Sequence, residues 1–167
     1  MRLVRILLLA FAVSHCLSVS LKAQSEPSLA SRIIRQLKIK EPNWYVFEAI
    51  DNTPVPLVPI ETRIFVGGWQ KPRSEGPSEV VNVFIYAVEN RADAAEWLKP
   101  VRNGQVPAGW KTDHVHVGDE GFLAKYKKGE RFEIQFRKGK VVVKVGANDL
   151  STVTEFAGYI VEQLPTN

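Results

Sequence analysis

Cysteine occurs once in the 167 residues, at Cys16, and histidine three times, at His15, His114 and His116. Beyond residue 23 there is no cysteine, which excludes from that part a disulfide, a thiolate nucleophile and any Cys-ligated zinc or iron–sulfur site. An apolar run of the ~18 to 20 residues needed to span a bilayer as a helix is also missing. So are a Gly-x-Ser-x-Gly elbow, a phosphate loop and a dinucleotide fingerprint. Nucleophilic, phosphoryl-transfer and nicotinamide chemistries therefore have no motif behind them, and no catalytic or cofactor-binding residue is assigned.

What is present begins with an export signal. Arg2 and Arg5 precede the uncharged apolar stretch Ile6 to Val13, and a polar segment ends at the small residue Ala23. That order is the tripartite pattern of a cleavable leader over residues 1–23, with one globular domain over 24–167 in a periplasmic or extracellular setting. A lipid anchor on Cys16 is disfavoured, because His15 stands where a lipoprotein signal has Gly, Ala or Ser. The leader carries Arg2, Arg5 and Lys22 and no acids, so removing it takes 22 basic and 18 acidic residues to 19 and 18. The formal charge falls from +4 to +1, and the case for nucleic-acid binding falls with it. Without disulfides the mature part is held by its core, and a chain of this size buries about 70% of the surface it exposes unfolded.

Periodicity divides the rest. Ser28 to Leu37 reads as a helix with Leu29, Ile33, Ile34 and Leu37 at helical spacing, Ser25 or Ser28 as cap and Pro27 in the first turn. Pro42 ends it, and Trp44 to Ile50 reads as a strand before the loop of Pro54, Pro56 and Pro59. Strands follow at Ile60 to Gln70 and Glu79 to Val88, joined by the polar loop Lys71 to Ser78. The second is apolar at nearly every position, as expected of a strand covered on both faces, and is placed at the sheet centre. Asn90 caps a helix with Ala92, Ala95 and Leu98 inward that Pro100 stops. Strands at Thr112 to Val117, Phe122 to Lys127, Arg131 to Arg137 and Lys140 to Val145 come next, with tight turns at Lys128-Gly129 and Lys138-Gly139. The chain closes in a helix from Leu150 to Leu164, whose Val153, Phe156, Ala157, Ile160, Val161 and Leu164 form one stripe. The sum is an α+β domain: a mostly antiparallel sheet of about six to seven strands with two to three helices packed on it.

The segments Gly118-Asp119-Glu120-Gly121-Phe122 and Phe136-Arg137-Lys138-Gly139-Lys140-Val141-Val142-Val143, followed by the closing helix, resemble the C-terminal half of exported PsbP/Mog1-like α+β domains and of bacterial secreted proteins. The resemblance covers roughly the last 50 residues and consists mainly of turn and strand chemistry. It implies a layered α+β fold and a non-catalytic binding, sensing or accessory role, and it carries over no functional residue.

Three constellations are candidates for function. His114 and His116, two apart on a strand, project to one face and offer two metal ligands with Asp119 or Glu120 nearby, as in a metal-dependent hydrolase. Against this, a third histidine is lacking, Val115 and Val117 turning inward would leave both imidazoles in solvent, and Asp119 and Glu120 between Gly118 and Gly121 read as turn residues pointing at water. The second is a basic sheet face: with Phe132, Ile134 and Phe136 inward, Arg131 and Arg137 face out, and Lys125, Lys127, Lys140 and Lys144 are assigned to the same side, against the acid Glu133. Such a face attracts a protein or an anionic cell-envelope component; its competing reading is ordinary strand solvation. The third is an apolar ligand pocket among Trp44, Tyr45, Trp69, Trp97 and Trp110, whose competing reading is plain core. The leading expectation is an exported, non-enzymatic binding module using the basic face, with a metal-dependent hydrolase and a small apolar ligand carrier as alternatives.

Overall fold

The computed structural model describes residues 28–53, 63–75, 77–128 and 131–165. The leader expected over residues 1–23, with Cys16, the loop expected at Pro54, Pro56 and Pro59, the first residues of the strand expected from Ile60, and Gly129 lie outside the described residues.

Helix α1 (Leu29–Lys40) starts where Ser28 Oγ accepts the Ser31 N–H at 3.2 Å, and it buries Ala30, Ile33 and Leu37. Three strands follow: β1 (Tyr45–Thr53), β2 (Arg63–Lys71) and β3 (Glu79–Ala87). Helix α2 (Arg91–Arg102) is capped by Asn90 Oδ1, which accepts the Ala92 and Asp93 N–H groups at 2.9 Å. Then come β4 (Trp110–Val115), β5 (Glu120–Tyr126), β6 (Phe132–Lys138) and β7 (Val141–Ala147). Helix α3 (Leu150–Gln163) ends the order, with Asp149 Oδ2 accepting the Thr152 N–H at 2.8 Å.

The seven strands form one sheet in the order β1-β2-β3-β7-β6-β5-β4, antiparallel at every pairing. The fold is therefore α+β, with three helices on an antiparallel sheet among the described residues. The chain leaves β3 through α2, crosses to the far edge as β4, and returns as a meander until β7 lies against β3. This return sets the centre: β7, not β3, is the middle strand and is buried along nearly its whole length. On β3, Val81, Val83 and Ile85 are buried while Asn82, Phe84 and Tyr86 are half-exposed, because α2 lies over β5, β6 and β7.

Helices α1 and α3 cover one face. There Ile33, Leu37, Phe156 and Ile160 meet Trp69, Val83, Phe136 and Val143. Trp69 stands edge-on to Phe156 at 5.9 Å, and Trp44 to the same ring at 5.1 Å. Helix α2 covers part of the other face with Ala94, Leu98 and Val101 against Phe122 and Val142. Two expectations for α2 need correcting. Pro100 does not stop it: the ring forfeits one N–H in the last turn, Val101 behind it is buried, and the helix ends at Asn103 with Gly104 at φ 68°. The inward stripe is Ala94, Leu98 and Val101, with Ala92 exposed: spacings of four and three keep these residues on one side of a 3.6-residue helix, whereas Ala92, six before Leu98, lies off that side.

Candidate functional site

Directly opposed residues of an antiparallel pair share a face, so the register locates the expected basic face. Lys125 lies opposite Phe132, on the α1/α3 side, whereas Lys144 lies opposite Gln135 and Arg137 opposite Val142, on the α2 side. Lys140 sits in the β6–β7 turn, at the other end of β6 from Arg131. The six cations therefore do not form one basic face, and Lys125 is on the side opposite to that assigned. Two of those on the α2 side are also neutralised locally. Lys144 Nζ is 2.9 Å from Glu133 Oε2. Arg137 Nε donates to Glu120 Oε2 at 3.0 Å, while Arg102 reaches the same carboxylate at 2.7 and 2.8 Å.

Glu120 is accordingly not a turn residue pointing at water. Partial burial pushes its carboxyl upward, but hydrogen bonds from Arg137 and Arg102, with their charges, outweigh that and hold it below the ordinary glutamate value. Asp119 is committed elsewhere too: its Oδ2 accepts the Gly139 N–H at 2.8 Å and lies 3.6 Å from Arg137 Nη1. The His114 and His116 rings are 5.7 Å apart and edge-on, and His114 also stands edge-on to Phe122 at 5.5 Å. Strand β4 ends at Val115, so His116 lies past the strand. Among the described residues no three of His, Cys, Asp or Glu are grouped to hold a metal ion. The ligand set His114, His116 and Asp119 is thus not assembled, because Asp119 turns to the β6–β7 turn.

Two arrangements stand out instead. The first is the end of the sheet where β4 begins and β5 turns into β6. Lys111 is directly opposite Lys125, Lys125 is opposite Phe132, and these residues with Tyr126 and Lys127 surround a hollow of about 460 Å³. The Lys127 N–H bonds the Gly109 carbonyl at 2.7 Å and the Tyr126 N–H bonds the Arg131 carbonyl at 3.0 Å, which ties the three strand ends together. Lys125 Nζ is 2.6 Å from Asp113 Oδ2. Trp110 packs against Tyr126 with centroids 5.8 Å apart. Sequence reading missed Lys111; its position opposite Lys125 depends on the β4–β5 register, which residue alternation within one strand does not reveal.

The second is a cleft of about 400 Å³ between α2, the connection to β4 and the α2-side face of β5 to β7. Trp97, Val106 and Trp110 are among its apolar walls, and Arg131, Glu133 and Lys144 among its polar groups. Trp97 is stacked on Tyr86 at 4.6 Å, and burial, with the Glu133 charge adding to it, pushes the Tyr86 phenol above its ordinary value. Of the five aromatics expected around a pocket, Trp97 and Trp110 line this cleft; Trp44 and Trp69 belong to the core, and Tyr45 is 47% exposed on β1. No helix among the described residues is long and apolar enough to cross a membrane. No protein-family model matches the chain, and no curated protein or solved structure shows significant similarity to it, so function is argued from these two sites.

Proposed function

We propose that this chain is a non-enzymatic binding module that docks on an anionic lipid surface of the cell envelope through the cationic end of β4, β5 and β6. The observation that carries the reading is the direct opposition of Lys111 and Lys125, with Lys127 beside them. Like charges opposed across a ladder destabilise it, where an opposite-charge pair would contribute roughly 0.2–1 kcal/mol. Asp113 offsets one of the three ammonium groups, and a layer of phosphate headgroups would offset the others. Phe132, opposite Lys125 on the same face, puts a ring next to these cations, the pairing of aromatic and basic groups suited to the headgroup region. A leader over residues 1–23 would deliver the surface to such a leaflet.

Sedimentation with vesicles tests the proposal. Vesicles of phosphatidylglycerol and phosphatidylcholine should retain the protein at low salt and release it at high salt, while phosphatidylcholine alone should not retain it. Replacing Lys111, Lys125 and Lys127 together with Glu should weaken retention on the order of 100-fold or more, since each basic residue near an anionic surface is worth about 1 kcal/mol. Equal binding to both vesicle types, or unchanged retention of the triple variant, would remove the idea.

A further inference from the structure

The cleft on the α2 side lies across the sheet from Lys111 and Lys125, and its chemistry is different. On the face of β5 that carries Phe122 and Tyr126, the position between them is Ala124, and the side-chain volume missing there opens the base of the cleft. Its volume of about 400 Å³ falls within the roughly 300–1,000 Å³ of small-molecule sites. The Trp97 ring is held in place by its stack on Tyr86, and Trp110 by its contact with Tyr126, so two of the apolar walls are rigid before any ligand arrives.

The polar side is partly committed and partly open. Both oxygens of the buried Glu133 carboxylate are occupied, Oε1 by Gln135 Nε2 at 2.6 Å and Oε2 by Lys144 Nζ at 2.9 Å. Lys144 remains 39% exposed with further donors to offer. Arg131, exposed at the cleft, has no ion pair among the described residues. Two cations against one internally paired carboxylate leave the site with one positive charge in excess. We infer that this cleft binds a small amphipathic monoanion, its flat apolar body against Trp97 and Trp110 and its charged head on Arg131 with support from Lys144. Neither the residues nor the face are those proposed to meet lipid, so this inference stands or falls separately.

Two dyes with related bodies separate the roles: 8-anilinonaphthalene-1-sulfonate, which carries one negative charge, and neutral N-phenyl-1-naphthylamine. The anionic dye should bind once per chain, with emission sensitised through the cleft tryptophans and reduced in Trp97→Phe. Arg131→Gln should weaken it about tenfold, the worth of one charge-assisted hydrogen bond, and leave the neutral dye unaffected. Arg131→Lys should restore part of the loss. Val106→Trp, which fills the cleft from the connection, should weaken both dyes, and Glu at Lys111, Lys125 and Lys127 should leave the neutral dye unchanged. Thermal melts by circular dichroism check that each variant is folded; Arg131 is exposed and its replacement should not shift the melt. An unchanged affinity of the anionic dye in folded Arg131→Gln, or of both dyes in folded Val106→Trp, would overturn the assignment.

Discussion

Glu120 holds together three parts of the fold that are distant in sequence. Its carboxylate stands on β5 and receives Arg102 from the end of α2 and Arg137 from β6. Because its pKa is lowered in the folded state, the stabilisation is present above the ordinary glutamate value of about 4.3 and is lost as pH falls through the lower folded value. Glu120→Gln should therefore be less stable than the parent at neutral pH, and the gap should close in acid; denaturant melts across that range measure it. A gap of constant size would mean that the charge contributes nothing. Gly118 makes a second demand at one residue: its φ is 65°, and a Cβ there would run into the Arg137 carbonyl oxygen. Gly118→Ala should destabilise by more than about 1 kcal/mol, read from the shift in denaturant midpoint.

At the level of elements, α3 and the strands were legible because each carries its pattern locally. Val153, Phe156, Ala157 and Ile160 needed only a period of 3.6 to be placed inward, and all are buried. What lies between elements was not legible. Alternation showed that Phe132 and Arg131 face opposite ways, but which of them shares a side with Lys125 depends on the register set by the connection from Lys127 to Arg131. A slip of one residue in that connection moves Lys125 to the other face, and with it the basic surface. The centre of the sheet was misread for a related reason: β3 is apolar, but the return of the chain from β4 inserts β7 beside it. The same register yields a prediction. Lys111→Glu turns a like-charge pair with Lys125 into an opposite-charge pair, so it should leave the protein as stable or more so, by up to roughly 1 kcal/mol, while weakening retention on anionic vesicles. Loss of both stability and retention would mean that Lys111 has a structural role instead.

For the whole molecule, the distribution of charge matters more than its sum. Residues 24–167 carry 19 basic and 18 acidic side chains, one charge from neutral, so a general attraction of that part to anions is not available and salt-dependent binding must come from a local cluster. The sequence names every lysine but not its neighbours; the fold brings Lys111, Lys125 and Lys127 to one end of the sheet and sends Lys140 to the other. The most direct test compares two variants of equal net charge for retention on phosphatidylglycerol-containing vesicles. One carries Glu at Lys111, Lys125 and Lys127, and the other carries Glu at the exposed Lys38, Lys99 and Lys140. The first should lose retention on the order of 100-fold while the second stays close to the parent; equal losses in the two would contradict a localised docking surface.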